Sequence, residues 1–414
     1  MENHKTVELM APAGSFETLT AAIQAGADSV YFGVEQLNMR AKSTNTFTLE
    51  NLSKVVKQCH KNNVKCYLTL NTVMYDHDIN LVRKILLEAQ KNGVDAVIAS
   101  DIAVMQVAKE LNYPIHISTQ ANVSNIETVA FYALFSDVVV LARELSLMQV
   151  KAISKEIKRR DIRGVSGDLM RLEIFCHGAL CMAISGKCHL SLHANFSSAN
   201  RGACIQNCRK KYIVKEVESD AEFEVDNEYI MSAKDLCTIN FLDKIIDSGT
   251  EIIKIEGRGR SIDYVYTTVK CYREAIDSIE RGDYTQEKVE AWMKQLETVF
   301  NRGFWDGYYL GKKMGEWSDS DGSKATKRKV FLGKGVKYYD EQKVAEFKLE
   351  AQHINVGDEV FISGPTTGYL TLSIDAMRVD NLSVEKASRG ESITFECKTK
   401  IRPSDKLYKL ISVQ

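Results

Sequence analysis

What most constrains the fold of this chain is an alternation. A short apolar run is followed by an amphipathic helical stretch, and the pair repeats through the first two thirds of the sequence. Residues 7–11, 29–33, 65–70, 96–100, 115–118, 137–141, 172–175 and 251–256 read as strands, with helical patterns such as 16–24 and 81–91 between them. Strands separated by helices pair in parallel, because a parallel neighbour needs a long crossover and a helix supplies it. Eight strands is the number a closed barrel requires. Glycine turns around Gly26, Gly93 and Gly249 sit where left-handed helix C-caps would lead back to the next strand. A doubly wound open sheet is the alternative, but the turn Ala11-Pro12-Ala13-Gly14-Ser15 has too few glycines for a dinucleotide fingerprint. The expected fold class is α/β, a (β/α)8-barrel-like catalytic domain.

Helical patterning continues over 262–281 and 285–298, which predicts a helical extension to the barrel. The composition then shifts. Residues 316–328 are polar and charged, and after them short strand-like runs separated by turns predict a small C-terminal β-barrel. The predicted organisation is a catalytic domain over 1–315, a linker over 316–329 and the β-barrel domain over 330–414.

The chain opens on polar residues with no hydrophobic leader, and no apolar stretch approaches the length of a membrane span. A cytoplasmic protein without a membrane partner is the expectation. The net charge of -1 does not announce a polyanion partner. Two basic stretches stand out locally: Arg201, Arg209, Lys210, Lys211 and Lys215, then Lys324, Lys327, Arg328, Lys329, Lys334 and Lys337.

Six cysteines, Cys176, Cys181, Cys188, Cys204, Cys208 and Cys237, crowd into about one seventh of the chain, while Cys59, Cys66, Cys271 and Cys397 are scattered. In a reducing compartment such a cluster favours metal ligation over a disulfide framework. Spacing alone leaves zinc and an iron–sulfur cluster nearly even, since both accept four thiolates.

Barrel active sites form at the C-terminal ends of the strands. That rule brings Asn71, Asp101, Thr119, Gln120, Asn122, Arg143, Glu144, His177, Glu256 and Arg258 toward the mouth, together with Asn38 and Arg40. Arginines offer a permanently charged fork for carboxylates or phosphates, and amides read a ligand's polar groups. His177, Arg143 and Glu256 are the candidate catalytic residues, with His177 a candidate proton carrier or a hydrogen-bond donor beside a metal cluster. Asn38, Arg40, Asn71, Gln120, Asn122 and Arg258 are the candidate substrate contacts.

The segment from Glu173 through Cys176-His177-Gly178-Ala179-Leu180-Cys181 to Lys187-Cys188-His189-Leu190-Ser191 closely resembles the signature of the U32 "peptidase" family. Further resemblance lies in Leu9-Met10-Ala11-Pro12-Ala13-Gly14, Asn200-Arg201-Gly202-Ala203-Cys204, Ser232-Ala233-Lys234-Asp235-Leu236-Cys237, Lys254-Ile255-Glu256-Gly257-Arg258 and Asn301-Arg302-Gly303-Phe304. The resemblance covers nearly the whole chain. Members similar to it are iron–sulfur hydroxylases of tRNA, ribosomal RNA or a quinone precursor. The tRNA members install 5-hydroxyuridine at wobble position 34 and depend on prephenate. The resemblance implies a [4Fe–4S] cluster on Cys181, Cys188, Cys204 and Cys237, leaving Cys176 and Cys208 as spare thiols, with Cys208 an alternative ligand. It also implies tRNA as partner and prephenate as co-substrate. The two prephenate carboxylates would suit Arg40, Arg143 or Arg258. A protease, or a noncatalytic iron–sulfur RNA-binding protein, is the competing reading.

Overall fold

The computed structural model describes residues 7–40, 47–212, 231–311, 315–320 and 322–413. Strands β1 (Glu8–Pro12), β2 (Ser29–Phe32), β3 (Lys65–Leu70), β4 (Ala96–Ala99), β5 (Ile115–Ile117), β6 (Val138–Val140) and β7 (Arg171–Ala179) pair in sequence order, all parallel. After β8 (Asp235–Cys237), strand β9 (Ile252–Ile255) pairs with both β7 and β1 and closes an eight-stranded parallel barrel. The eight barrel strands are the eight apolar runs seen in the sequence, displaced only at their ends. Strand β4 (AVIA) and strand β6 (VVV) are buried along their whole length, as strands covered on both faces must be.

Helices α1 (Phe16–Gln24), α2 (Leu52–Lys61), α3 (Ile79–Asn92), α4 (Ile102–Glu110), α5 (Ile126–Tyr132) and α6 (Leu147–Arg159) form the outer layer. Their ends follow local chemistry. The Ser15 hydroxyl accepts from the Thr18 N–H to start α1, the Asp101 carboxylate accepts from the Ala103 N–H to start α4, and Gly93, at φ 79°, closes α3 in the left-handed conformation.

Two departures from the sequence reading shape the site. Strand β7 runs on to Ala179, and β8 folds back antiparallel on that extension, with Cys237 opposite His177 and Asp235 opposite Ala179. Strand β10 (Phe304–Trp305) then pairs with β8. At three and two residues, β8 and β10 are too short for periodicity to reveal. Between β7 and β8 lies α7 (Leu190–Asn195), and α8 (Leu242–Asp247) follows β8. The helical extension is α9 (Ile262–Arg281) and α10 (Gln286–Glu297).

The C-terminal region is antiparallel. It comprises β11 (Lys327–Tyr339), β12 (Val344–Leu349), β13 (Ile354–Asn355), β14 (Glu359–Gly364), β15 (Gly368–Ser373), β16 (Met377–Val379), β17 (Leu382–Val384), β18 (Lys386–Ala387), β19 (Ser392–Glu396) and β20 (Lys406–Ser412). Eight of these form one sheet around a core of its own that includes Leu332, Phe347, Ile362 and Ile393, while β13 and β18 pair separately. Strand β11 starts within the polar stretch, because Lys327 already pairs with Ser412. The region is clasped to the barrel: Phe361 packs with Ala21 of α1 and Ile262 of α9, and the Gln24 amide donates to the Thr367 carbonyl at 2.9 Å. Among the described residues no helix is long and apolar enough to cross a membrane.

Candidate active site at the barrel mouth

Where β7 leaves the barrel, Gly178 adopts φ 106°, and a Cβ there would come within 2.6 Å of the Glu256 carbonyl oxygen. Glycine lets the chain turn outward over β9. The segment that follows has little regular structure and is held by arginines. Arg209 donates to the Leu180 carbonyl at 2.6 Å and to the Ala233 carbonyl at 2.5 Å. Arg201 pairs with Asp78 at 2.5 Å and donates to the Val73 carbonyl at 2.7 Å. Both belong to the first of the two basic stretches seen in the sequence. Their guanidiniums are spent on carbonyls and a carboxylate that pin the cysteine segment over the mouth. Lys215 lies outside the described residues.

This segment roofs a cavity whose lining includes Cys181, Cys188, Cys204 and Cys208. Burial raises the Cys208 thiol pKa; Arg209 works to lower it, and neighbouring Cys181, Cys204 and Cys188 raise it further. The thiols are thus close enough to feel one another's charge. No three of them, among the described residues, lie within 4.8 Å of each other, a wider spacing than a single tetrahedral ion takes. Cys237 is elsewhere. Residues directly opposite on antiparallel strands share a face, so Cys237 and His177 turn together toward α9 and α10. The Cys237 sulfur lies 3.8 Å from the Tyr272 hydroxyl and 3.7 Å from the Met293 sulfur, and burial pushes its pKa up to about 11. The four thiols in the cavity lining are thus Cys181, Cys188, Cys204 and Cys208, and Cys237 is not among them. Cys176 is fully buried against the Lys254 carbonyl.

Five arginines line the cavity with the thiols: Arg209 and Arg302, and also Arg40, Arg143 and Arg258. Arg40 pairs with Glu256 at 2.7 Å. Arg258, buried, donates to Asn38 Oδ1 at 3.0 Å and to Thr69 Oγ1 at 2.7 Å, and occupies space that a Cβ on Gly33 would take, 2.7 Å from its Nη1. Burial lowers its pKa to about 10, against the opposing pull of Tyr31 and Glu256, so it remains cationic at neutral pH. Arg143 donates to the Ala179 carbonyl at 2.9 Å and lies 3.8 Å above the Phe175 ring. Its Nε is buried with no hydrogen-bond partner among the described residues, as are Thr119 Oγ1, Asn200 Oδ1 and Asn207 Oδ1, all of lining residues. Each such atom costs about 1–3 kcal/mol unless a ligand satisfies it.

Glu256 is the one acidic residue in the described lining. Burial opposes its ionisation, but Arg40, Arg143 and Arg258 prevail and hold its pKa down at about 2. A carboxylate so acidic anchors Arg40 and does not shuttle protons near pH 7. His177, a candidate proton carrier, is set away from the cavity. It is buried among Tyr264, Tyr272 and Phe304, outside the lining, and burial lowers its pKa to about 3. Asn71 and Gln120 line the cavity and hydrogen-bond each other at 3.2 Å. Asn38 sits behind Arg258 and orients it, and Asn122, a left-handed turn residue donating to the Gln120 carbonyl, is also outside the lining. Sequence reasoning missed Tyr31 and Lys254, which reach the floor of the cavity from within β2 and β9. Lys254 pairs there with buried Glu173 at 2.9 Å.

Fold and site together define a (β/α)8-barrel protein with a thiol-roofed, cationic cavity at its C-terminal mouth, built for an anionic ligand. The chain belongs to peptidase family U32, whose model matches residues 14–319. It is 53% identical over 407 residues to a protein named "Collagenase" from Porphyromonas gingivalis, covering 98% of each. It is 30% identical to "tRNA hydroxylation protein P1" of Bacillus subtilis, covering 98% of this chain and 95% of that one. To "23S rRNA 5-hydroxycytidine C2501 synthase" of Escherichia coli it is 32% identical, over 77% of this chain and 47% of that protein.

Proposed function

We propose that the protein is an RNA hydroxylase that converts the wobble uridine 34 of tRNA to 5-hydroxyuridine, with prephenate as co-substrate and a [4Fe–4S] cluster held by Cys181, Cys188, Cys204 and Cys208. The observation that carries the reading is a single cavity lined by four thiols and by Arg40, Arg143, Arg209, Arg258, Arg302 and Lys254, against one lining carboxylate, Glu256. An all-thiol donor set of four suits an iron–sulfur cluster. When bound, that cluster would supply the electron transfer that hydroxylating a pyrimidine C5 demands and that side chains alone lack.

The chain's own residues bind and orient. Arg302 and Lys254 are paired with Asp235 and Glu173, and Arg40, Arg143, Arg209 and Arg258 together outnumber Glu256, an excess of positive charge that suits a small dicarboxylate such as prephenate. The unpartnered Arg143 Nε would donate to one of its carboxylates. Thr119, Asn200 and Asn207 offer oxygens to the ligand's hydroxyl or to a base edge. On the outer face of the same segment, Phe196 is 95% exposed, a ring on which a nucleobase splayed from a single-stranded loop can stack. The similarity to a tRNA hydroxylation protein runs the length of both chains, C-terminal sheet included, which favours tRNA over ribosomal RNA. A cysteine protease needs a base beside its nucleophile, and the described lining contains no histidine.

Mass spectrometry of RNA from a deletion strain tests the reading. Loss of hydroxyuridine-derived wobble nucleosides is expected. Unchanged tRNA with lost ribosomal hydroxycytidine would move the substrate to rRNA, and no change in either RNA would sink the proposal.

A further inference from the structure

At the opposite, N-terminal face of the barrel, three side chains from three elements converge. His60 comes from the last turn of α2, Cys66 from β3, and Asp95 from the turn leading into β4. Their ligand atoms, the His60 ring nitrogen, the Cys66 sulfur and an Asp95 carboxylate oxygen, all lie within 4.8 Å of one another. We propose that His60, Cys66 and Asp95 form a binding site for a zinc-like divalent cation, separate from the thiols at the mouth.

The donor chemistry singles out the ion. A thiolate, an imidazole and a carboxylate together suit Zn²⁺, which accepts sulfur, nitrogen and oxygen in one tetrahedron, and they suit Mg²⁺ or Ca²⁺ poorly. Tetrahedral bonds of about 2.0–2.3 Å would place the donors on the order of 3.5 Å apart. His60 Nε2 and Asp95 Oδ2 are already 3.0 Å apart, so the site needs small side-chain movements and no backbone change. The carboxylate is held in place by the backbone, since Asp95 Oδ2 accepts the Cys66 N–H at 2.7 Å and retains lone pairs for a cation. Cys66 is fully buried whereas the His60 side chain is 44% exposed, so an ion would sit at the protein boundary with solvent as its fourth ligand.

The position indicates the role. Residues at the N-terminal face of a barrel serve stability, and an ion here would tie α2, β3 and β4 together far from the reacting groups. Binding only to the folded state, it would raise the melting temperature by mass action.

Full-length protein carrying whatever iron it retains is incubated with Zn²⁺, desalted and assayed for zinc and iron, as wild type and as His60→Ala. Because His60 is half exposed, this variant should fold, and zinc captured by the mouth cysteines is common to both samples and cancels. The proposal expects His60→Ala to hold one zinc per chain fewer than wild type. Co²⁺ in place of Zn²⁺ should give a sulfur-to-cobalt charge-transfer band weaker in His60→Ala, and weakened as much in Cys66→Ser if that variant folds. Equal zinc in wild type and His60→Ala would overturn the site, leaving His60 and Asp95 an ordinary surface ion pair.

Discussion

The barrel mouth and the C-terminal sheet both gather cations, yet they use them differently. On β11, Lys327 pairs with Glu359 at 2.5 Å, Lys329 with Asp263 at 2.6 Å and Lys334 with Glu350 at 3.4 Å, all on partly exposed surface. At the mouth, five lining arginines face a single lining carboxylate, Glu256, and the Arg143 Nε is buried without a partner among the described residues. A neutralised charge in water contributes little, whereas a desolvated one in excess is a demand for a ligand. The number of basic residues in a stretch therefore says less about binding than the state of each.

This contrast is open to challenge at several residues. The largest effect should come from the roof: Cys208→Ser is expected to lose most bound iron and at least about tenfold in hydroxylation, because the proposed cluster has no spare thiol at hand. Cys237→Ser should keep its iron. Iron and sulfide analysis of anaerobically purified variants decides, and the reverse pattern would restore Cys237 as the ligand. Next, Arg143→Ala removes the desolvated donor and should raise the KM for the anionic co-substrate by about 30-fold, some 2 kcal/mol. Full activity in that variant would remove Arg143 from the site.

Beneath the mouth, Lys254→Met strands the Glu173 carboxylate, whose ionised form Lys254 and His116 favour against the penalty of burial. Breaking such a pair from one side costs about 3–5 kcal/mol, readable as a lower urea midpoint. A midpoint equal to wild type would mean Glu173 is protonated. Glu256 gives a pH signature. Its folded-state pKa is depressed to about 2, so its contribution is present above the ordinary glutamate value near 4.5 and is lost as pH falls from there through about 2. Up to about 3 kcal/mol is at stake. Wild type should lose stability across that window more steeply than Glu256→Gln, and parallel profiles would contradict the assignment. The smallest effect belongs to the C-terminal sheet: Lys329→Ala, half-exposed, should change stability by less than about 1 kcal/mol and leave tRNA affinity within a factor of two or so. A tenfold loss of affinity would show that β11 contacts RNA after all.

Much of the barrel is legible in the sequence because each parallel strand is a continuous apolar run, a signal that needs no knowledge of its neighbours. The strand-end arginines were legible for a related reason: in a closed barrel, position along a strand sets proximity to the mouth. Strands β8 and β10 were not, since at three and two residues they exist only through pairing with the extended end of β7. The roles of His177 and Cys237 were hidden with them. Both residues are ordinary ligand or proton-transfer types in sequence, and both face Tyr272 because of that pairing.

The sequence alone thus determined the strand count, the closed α/β architecture and the supply of thiols and arginines near the C-terminal ends, all of which follow from local hydrophobic pattern and residue type. Which four of the six cysteines line one cavity, and which arginine nitrogen is left without a partner, was decided only by tertiary structure. A side chain's facing after a turn depends on register with a distant strand, and its desolvation depends on what the rest of the chain packs around it.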